Sequence, residues 1–421
     1  MKKHMFILLV VMMPLKLLLA QQVNVDSSNL KELLETRNAR VHASKFSKGA
    51  AESREGFLQR SFMPSVSIYG GQETFRSGTL SQRSQPVYGA EVSVNLFNSG
   101  RDRIENKVRE LETEKRQFQI QRVTSEELEK ARATYWQVLY LKEKVMLLKE
   151  VLKVNAQNLS DALKRIKGGV ATSTDRFEFE MKEVDLKREL AEAEVQFLNQ
   201  KRFLTVQLGI DSVSMLDFKE EFFHDHQSDS DIGELKNQYE FLIKESEIQS
   251  QQYALSSEEK KRSWWPKLDA FAAYNQYNQR VDSAGTDAFT HDMRRDMAIG
   301  LKLSMSIPSG FEANREADSM AKEQMATKSL VDYQKKEIEM DLLSDMSELR
   351  LMHDLVHEAE ENIGRAQRYY SLTQSEYKRG VKNSPDVLGA AEKLFTMKNR
   401  RLEIIKNFQV AKSHILSKMG Q

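Results

Sequence analysis

The fold is decided by residues 101–167, which read RDRIENKVRELETEKRQFQIQRVTSEELEKARATYWQVLYLKEKVMLLKEVLKVNAQNLSDALKRIK and contain neither glycine nor proline. Such a run, rich in Glu, Lys, Arg, Leu and Gln, predicts one continuous helix, because helix formers dominate and breakers are absent. At the usual rise per residue this helix would be about 100 Å long. That length exceeds the depth of any globular core, so the sequence predicts an elongated protein.

The same stretch carries a seven-residue repeat of apolar side chains, which is typical of a coiled-coil seam. Leu141 and Leu148 each follow a member of the seam three positions later. The seam itself consists of Val138, Val145, Leu152, Leu159 and Ile166. We therefore expect the long helix to pack against other helices along its length.

The chain contains two related halves. Residues 169–175, Gly-Val-Ala-Thr-Ser-Thr-Asp, correspond to residues 380–386, Gly-Val-Lys-Asn-Ser-Pro-Asp. Leu208-Gly209 and Met419-Gly420 close the two halves at the same offset in sequence. The seam also recurs at this offset, at Leu349, Val356, Ile363, Tyr370 and Tyr377. The sequence therefore predicts two structural copies.

Each copy reads as a helix, two strands, a long helix and a medium helix. We expect the first helices at about 28–60 and 231–262 and the last helices at about 174–208 and 385–418. A first and a last helix together match the length of the long one, which suggests an antiparallel layer of helices. The predicted divisions are a signal peptide at 1–20, a first repeat at 21–210, a linker or equatorial region at 211–230 and a second repeat at 231–421.

Four segments have the two-residue period of β-strands with one apolar and one polar face. They lie at about 64–75, 87–97, 266–278 and 296–307. Strands of about ten residues are long enough to cross a bilayer when tilted. Soluble hairpins packed on a core are the alternative, but helices of this length offer no globular core. Interfacial aromatic residues also belong near the strand starts, where the chain has Phe62, Tyr69, Trp264 and Trp265.

Four strands cannot close a barrel by themselves. An open sheet edge in lipid leaves backbone groups unpaired, at a cost of several kcal/mol each. Known membrane barrels begin at about eight strands. At least two copies of the chain are therefore needed, and three copies would supply twelve strands.

Composition and the N-terminus place the protein outside the cytoplasm. Lys2 and Lys3 precede an apolar stretch that ends near Ala20, which predicts a secretory signal peptide, with an uncleaved membrane anchor as the alternative. The chain has 63 basic and 62 acidic residues, which does not favour binding to nucleic acid. The absence of cysteine excludes disulfides, thiolate metal sites and an N-terminal lipidated cysteine. The mean hydropathy of −0.58 disfavours a bundle of membrane-spanning helices.

Taken together, these features resemble the TolC family of outer-membrane efflux proteins. The resemblance rests on the signal peptide, the doubled plan, the turn Phe97-Asn-Ser-Gly100 and the two glycine-containing tips that end the long helices. It implies a mainly α protomer with a transmembrane β-barrel: a homotrimer with one 12-stranded barrel in outer-membrane lipid, continued by a 12-helix periplasmic α-barrel. It also implies an exit duct of a tripartite efflux or type I secretion system, with a periplasmic adaptor (membrane fusion) protein and an inner-membrane pump of the RND or ABC type as partners.

The resemblance assigns roles to the two helical tips, at about 168–174 and 380–385. It implies a surface that docks the adaptor and a nearby constriction that keeps the resting duct shut. The constriction residues would be Tyr377, Lys382 and Asp386, although Gly389 stands where some members have a second acid. The docking residues would be Gly169, Val170, Thr172, Asp175, Gly380, Val381, Ser384, Asp386, Val387 and Leu388.

The same tip residues also read as ordinary helix caps, and both interpretations stay open at this point. Gly169 and Gly380 permit the reversal of the chain. Thr174 and Ser384 are candidate N-caps of the returning helices. Asp175 and Asp386 place negative charge at the positive helix ends, which stabilises a helix start whatever else the residues do.

Other features predict neither catalysis nor a cofactor. His353 and His357 lie four residues apart, but the glutamate of a zinc protease motif is missing, so a solvated helix face is expected and no metal site. Phosphate-binding and dinucleotide motifs are absent from the sequence. The alternative functions are a periplasmic coiled-coil adaptor and a secreted coiled-coil scaffold, which fractionation would separate from an outer-membrane duct.

Overall fold

The computed structural model describes residues 23–75, 83–210, 212–213, 216–218, 222, 240–277, 294–306 and 312–418. The predicted signal peptide, most of the predicted linker and the last residue of the fourth predicted strand, 307, lie outside the described residues. The elements, in chain order, are β1 (Val23–Asn24), α1 (Leu30–Arg37), α2 (Ala39–Glu52), α3 (Phe57–Ser61), β2 (Ser65–Phe75), β3 (Arg83–Asn98), α4 (Arg101–Lys167), α5 (Ser173–Gln207), β4 (Leu216–Asp217), α6 (Glu240–Lys261), β5 (Lys267–Tyr277), β6 (Arg294–Ser304), α7 (Glu312–Lys378) and α8 (Ser384–Lys418).

The predicted long helix is confirmed. α4 begins at Arg101 and ends at Lys167, and α7 has the same length of 67 residues. Val138 of the seam and Leu148, three positions after the seam residue Val145, are fully buried, so this part of the helix packs as a coiled coil should.

The helices form a layer with a fixed order. α4 packs against α2 and α5 on one side and against α6 and α8 on the other. α7 packs against α6 and α8. Around the layer, the order is therefore α2 with α5, then α4, then α6 with α8, then α7. The shorter helices share the length of the long ones, as the sequence suggested.

The prediction of one helix at about 28–60 was wrong, because the chain forms three short helices there. Asn38 is extended rather than helical, and its side-chain oxygen accepts the backbone N–H groups of Arg40 and Val41, so it ends α1 and caps α2. Gly56, with φ of +116°, separates α2 from α3. The first helix of the second repeat, α6, which was predicted at about 231–262, starts at Glu240 within the described residues.

The four long strands form one antiparallel sheet in the order β2-β3-β5-β6. The central pairing of β3 with β5 joins the two predicted hairpins. β3 begins at Arg83, earlier than the 87 that the sequence suggested. Pro86 lies in the part of β3 that pairs with β2 but not with β5. Proline has no backbone N–H to donate, and this is tolerated where one side of a strand has no neighbour.

The sheet has one apolar and one polar face. A row across all four strands joins Val66, Val92, Ala272 and Ile299, with apolar side chains throughout. The adjacent row, on the opposite face, joins Ser65 and Ser93 to Phe271 and Gly300, so this face is polar except at Phe271 in this row. The apolar face is exposed in the chain: the exposed fraction is 65% for Val66 and 74% for Ile299.

The largest buried cluster lies midway along α4, where α1 and the short parallel pair of β1 and β4 pack against it. Its centre is Tyr135, which is fully buried and contacts the rings of Trp136 and Phe218. Within the described residues, none of the helices is long and apolar enough to cross a membrane.

Candidate functional site

The two predicted tips are tight reversals of the long helices. α4 ends at Lys167 and α5 begins at Ser173, while α7 ends at Lys378 and α8 begins at Ser384. Gly169 and Gly380 have φ of +71° and +84°, a left-handed conformation that favours glycine at helix C-termini. The Val170 N–H donates to the Arg165 carbonyl at 3.0 Å, which closes the first turn, and the second turn is closed in the same way.

The N-caps lie earlier in the chain than the sequence predicted. The prediction of Thr174 was wrong, because Thr172 precedes α5 and its backbone N–H donates to the Asp175 carboxylate at 3.1 Å. Ser384 is already helical, and Asn383 caps α8: its side-chain oxygen accepts the Asp386 N–H at 3.3 Å. Both caps use an Asp three residues later as the reciprocal acceptor, so the capping interpretation describes the geometry of Asp175 and Asp386.

A buried serine joins the two tips. The Ser384 hydroxyl lies 2.5 Å from an oxygen of Asp175 and 2.5 Å from an oxygen of Glu178, both on α5. Burial raises the pKa of Asp175, but hydrogen bonds from Ser384 and from the Thr172 backbone, together with the Arg165 charge, hold that pKa below its usual range. The carboxylate therefore stays ionised and links the two halves of the chain.

Tyr377 lies inside the tip rather than on its surface. The side chain is 2% exposed, and the Arg165 guanidinium lies over its ring at 4.0 Å from the centroid. The Phe179 ring packs against it edge-on, with 6.3 Å between the ring centroids. Burial raises the pKa of the Tyr377 hydroxyl, and the nearby Arg165 charge opposes this. The role of Tyr377 at a constriction stays a prediction.

Further polar contacts join α4 to α7 next to the tips. The Asn158 amide donates to the Tyr370 hydroxyl at 3.2 Å, and Gln374 donates to the Asn158 oxygen at 3.1 Å. One turn nearer the tip, the Asp161 carboxylate lies 3.6 Å from the Lys378 ammonium. Because Asn158 is buried, its hydrogen bonds fix the relative position of the two long helices at this level.

The predicted docking residues divide into exposed and buried members. Val170 and Val381 are 64% and 71% exposed at the two turns, while Val387 is fully buried beneath them. Lys382 lies 3.8 Å from Asp386 on the outside of the second tip. The turns thus expose two apolar side chains on a polar end, which suits a docking surface.

Sequence reasoning missed the residues that hold the tips together, above all Arg165, Glu178 and Asn158. Nothing in the sequence pattern separates Arg165 or Glu178 from the many charged positions of a long helix. An asparagine within a coiled-coil stretch was the one available signal, since a buried Asn often fixes the register of such helices.

Comparisons with known structures identify the fold. The chain matches the outer-membrane protein VceC of Vibrio cholerae with 12% identity and a TM-score of 0.74, over 94% of this chain and 96% of that one. The outer-membrane channel CmeC of Campylobacter jejuni matches with 12% identity and a TM-score of 0.74, over 94% and 85%. The outer-membrane channel MtrE of Neisseria gonorrhoeae matches with 12% identity and a TM-score of 0.72, over 94% and 88%.

These neighbours define the class: the chain has the fold of outer-membrane channel proteins over nearly its full length. The resemblance to the TolC family is thereby confirmed at the level of the fold. No protein-family model matches the sequence, and comparison with curated proteins gives no match.

Proposed function

We propose that this chain is one protomer of an outer-membrane exit duct that exports substrate from an inner-membrane pump. The observation that carries the proposal is a strip-shaped protomer: a four-stranded sheet with an exposed apolar face continues into a layer of helices about 100 Å long. Such a strip buries neither its apolar face nor its edges by itself. A lipid bilayer around the sheet and identical neighbours at its edges would satisfy both.

The edges of the sheet support association in a ring. The outer sides of β2 and β6 have no partner among the described strands, and unpaired edges in lipid are costly. Pairing β2 of one copy with β6 of the next is head-to-tail, an arrangement that forms a ring when the rotation between copies closes. Three copies would give a barrel of twelve strands, within the range of known membrane barrels.

The helical layer supports the same closure. Its order runs from α2 with α5 to α7, parallel to the order from β2 to β6 in the sheet. The two layers thus present their open edges on the same two sides. One head-to-tail contact would complete both, giving a twelve-helix tube that continues the barrel into the periplasm. The internal duplication, with repeats at 21–210 and 231–421 and a linker at 211–230, explains why both halves of each protomer line this tube.

The tips supply the closing and docking end of the duct. In the proposed mechanism, a periplasmic adaptor binds the exposed Val170 and Val381 and separates the tips, and an RND or ABC pump delivers the substrate. Separation breaks the contacts of Ser384 with Asp175 and Glu178. Substrate then passes through a water-filled lumen without chemical change, which requires neither catalysis nor a cofactor.

Fractionation and conductance test this function. We expect the mature chain in the outer membrane, extracted by detergent as an oligomer and forming pores in planar bilayers. Recovery of the chain as a soluble periplasmic monomer would contradict the proposal. Asp386→Ala tests the predicted constriction: conductance should rise if Asp386 helps to close the duct. The control is Asp318→Ala, which removes a carboxylate near the start of α7, at the end of that helix away from the tips, and should leave the conductance unchanged.

A further inference from the structure

We propose that Tyr69 and Glu91 form a binding site for organic cations with an aromatic body, on the polar face of the four-stranded sheet. The site rests on the proposed function, because this face lines a lumen only when neighbouring copies close the barrel. It deepens that function by naming a chemical class of substrate that the wall of the duct retains. All of its residues belong to one chain, and none of them lies at the helical tips.

The ring of Tyr69 lies along the polar face of the sheet, although the sequence suggested this residue for the lipid interface. Tyr69 stands opposite Gly89 of β3, and Gly89 stands opposite Asn275 of β5. The Tyr69 hydroxyl donates to the side-chain oxygen of Asn275, so the ring extends across Gly89. A Cβ at residue 89 would lie 2.5 Å from the ring carbon Cζ, so glycine leaves the room that the ring occupies. Tyr69 is 42% exposed, and its ring therefore stays accessible from the polar side.

Glu91 places a negative charge beside this ring. It follows Gly89 by two residues, so both point to the same face of β3. Glu91 is thus a diagonal neighbour of Tyr69, and side chains in this relation are about 7–8 Å apart, within reach of one ligand. Among the residues that the structure describes, no basic side chain forms an ion pair with the Glu91 carboxylate. Its charge is available to a ligand.

The row of the sheet that contains Glu91 leaves space for a ligand. Glu91 stands opposite Ser67 on one side and Ala273 on the other, and Ala273 stands opposite Ala298. These three neighbours have small side chains. The row therefore forms a shallow floor next to the Tyr69 ring, with the carboxylate of Glu91 rising from it.

An organic cation with an aromatic body satisfies both groups of this site. An aromatic face attracts cations and stacks with other rings, and a carboxylate attracts positive charge. An anion would be repelled by Glu91, and a small cation without a ring would use the carboxylate alone. At an exposed site such contacts are weak, which suits a duct, because a substrate must enter the site and also leave it.

The second hairpin has the same arrangement with the opposite charge. Phe271 stands opposite Gly300, where a Cβ would lie 3.3 Å from the ring carbon Cε1, so its ring lies over β6 and away from β3. Two residues after Gly300 the chain has Lys302, where the first hairpin has Glu91. Lys302 is two strands and four residues from Glu91, about 16 Å, which exceeds the Debye length at physiological ionic strength. Phe271 and Lys302 are therefore a matched pair that should repel a cation.

Block of the ionic current through the native pore in planar bilayers tests the site. Benzyltrimethylammonium, added on the side of the sheet, should reduce the current with a saturable dependence on its concentration. Tetramethylammonium, which has no ring, should block more weakly. Benzenesulfonate, which has the ring but a negative charge, should not block.

Four substitutions locate the bound cation. Tyr69→Leu and Glu91→Gln should each raise the dissociation constant of benzyltrimethylammonium by about two- to fivefold, the range for a cation at an exposed aromatic site. Phe271→Leu and Lys302→Gln are the matched controls in the second hairpin and should leave this constant near its native value. Tyr69→Phe keeps the ring and should bind as the native chain does.

The outcomes separate the site from the duct. Unchanged block in both Tyr69→Leu and Glu91→Gln, in pores that still conduct, would overturn the site and leave the proposed duct intact. Equal weakening by Phe271→Leu and Lys302→Gln would also overturn it, because the cation would then lie elsewhere on the wall. If Tyr69→Leu forms no pores, the isosteric Glu91→Gln decides by itself. A native chain that forms no pores would instead remove the proposed function, and the site with it.

Discussion

Replacement of Ser384 by alanine should loosen the contact between the two tips. The hydroxyl lies 2.5 Å from both Asp175 and Glu178, but it has a single proton and can donate only one of these hydrogen bonds at a time. Ser384 is 1% exposed, so water does not replace the lost donor without local movement. A hydrogen bond to a charged group contributes about 1.5–3 kcal/mol. We expect a loss of about 2 kcal/mol, which corresponds to a roughly 30-fold change in a local opening equilibrium.

Amide hydrogen exchange measures this opening without any assumption about transport. Ser384→Ala should accelerate exchange near the start of α5 by roughly the same factor, and the amides around Tyr135 should not change. Ser371→Ala is the matched control, because the Ser371 hydroxyl donates only to the Gln367 carbonyl of its own helix. Equal exchange in the Ser384 and Ser371 variants would refute the assignment of Ser384 as a link between the tips.

Three further predictions concern single residues. Tyr377→Phe should leave the thermal midpoint nearly unchanged, because the buried hydroxyl has no hydrogen bond of good geometry within the described residues, whereas Tyr377→Ala should cost about 3–5 kcal/mol. Asp175 has a lowered folded pKa, so its stabilisation is present above its ordinary pKa of 3.8 and is lost as the pH falls through the folded value. Gly209→Ala should destabilise by at least about 1–2 kcal/mol, because φ is +64° and a Cβ would lie 2.4 Å from the Arg37 carbonyl oxygen.

Each of these has a control. Equal losses for Tyr377→Phe and Tyr377→Ala would mean that the hydroxyl, rather than the ring, stabilises the tip. Below pH 3.8, the native chain should show faster amide hydrogen exchange at the tips, and the Asp175→Asn variant should not. If exchange in the variant accelerates as much as in the native chain, Asp175 is not the source of the acceleration. Gly49→Ala, in a helix with open space around the position, should stabilise by about 0.5–1 kcal/mol, in contrast to Gly209→Ala.

Local pattern predicted the four long strands and the long helices of this fold but not all of their ends, and it missed the short strands β1 and β4. The run at 101–167 gave the helix bounds, because no breaker interrupts it and Gly168 follows it directly. The pattern at 28–60 predicted one helix and was wrong there. The side chain of Asn38 accepts backbone N–H groups of the residues that follow it, and this one residue ends α1 and begins α2. The sequence predicted Ser384 as the N-cap of α8, but the cap is Asn383. These are adjacent polar residues, and composition does not distinguish between them.

The sequence by itself determined the long helices, the alternating strands and the glycine turns, because each depends on residues within a few positions of one another. Only the tertiary structure decided that Ser384 meets Asp175 and that Arg165 covers the ring of Tyr377. Members of each pair are more than 200 residues apart, so their contact depends on how α4, α5, α7 and α8 are aligned along the bundle. That alignment comes from side-chain packing across four helices, which no periodicity within one helix specifies.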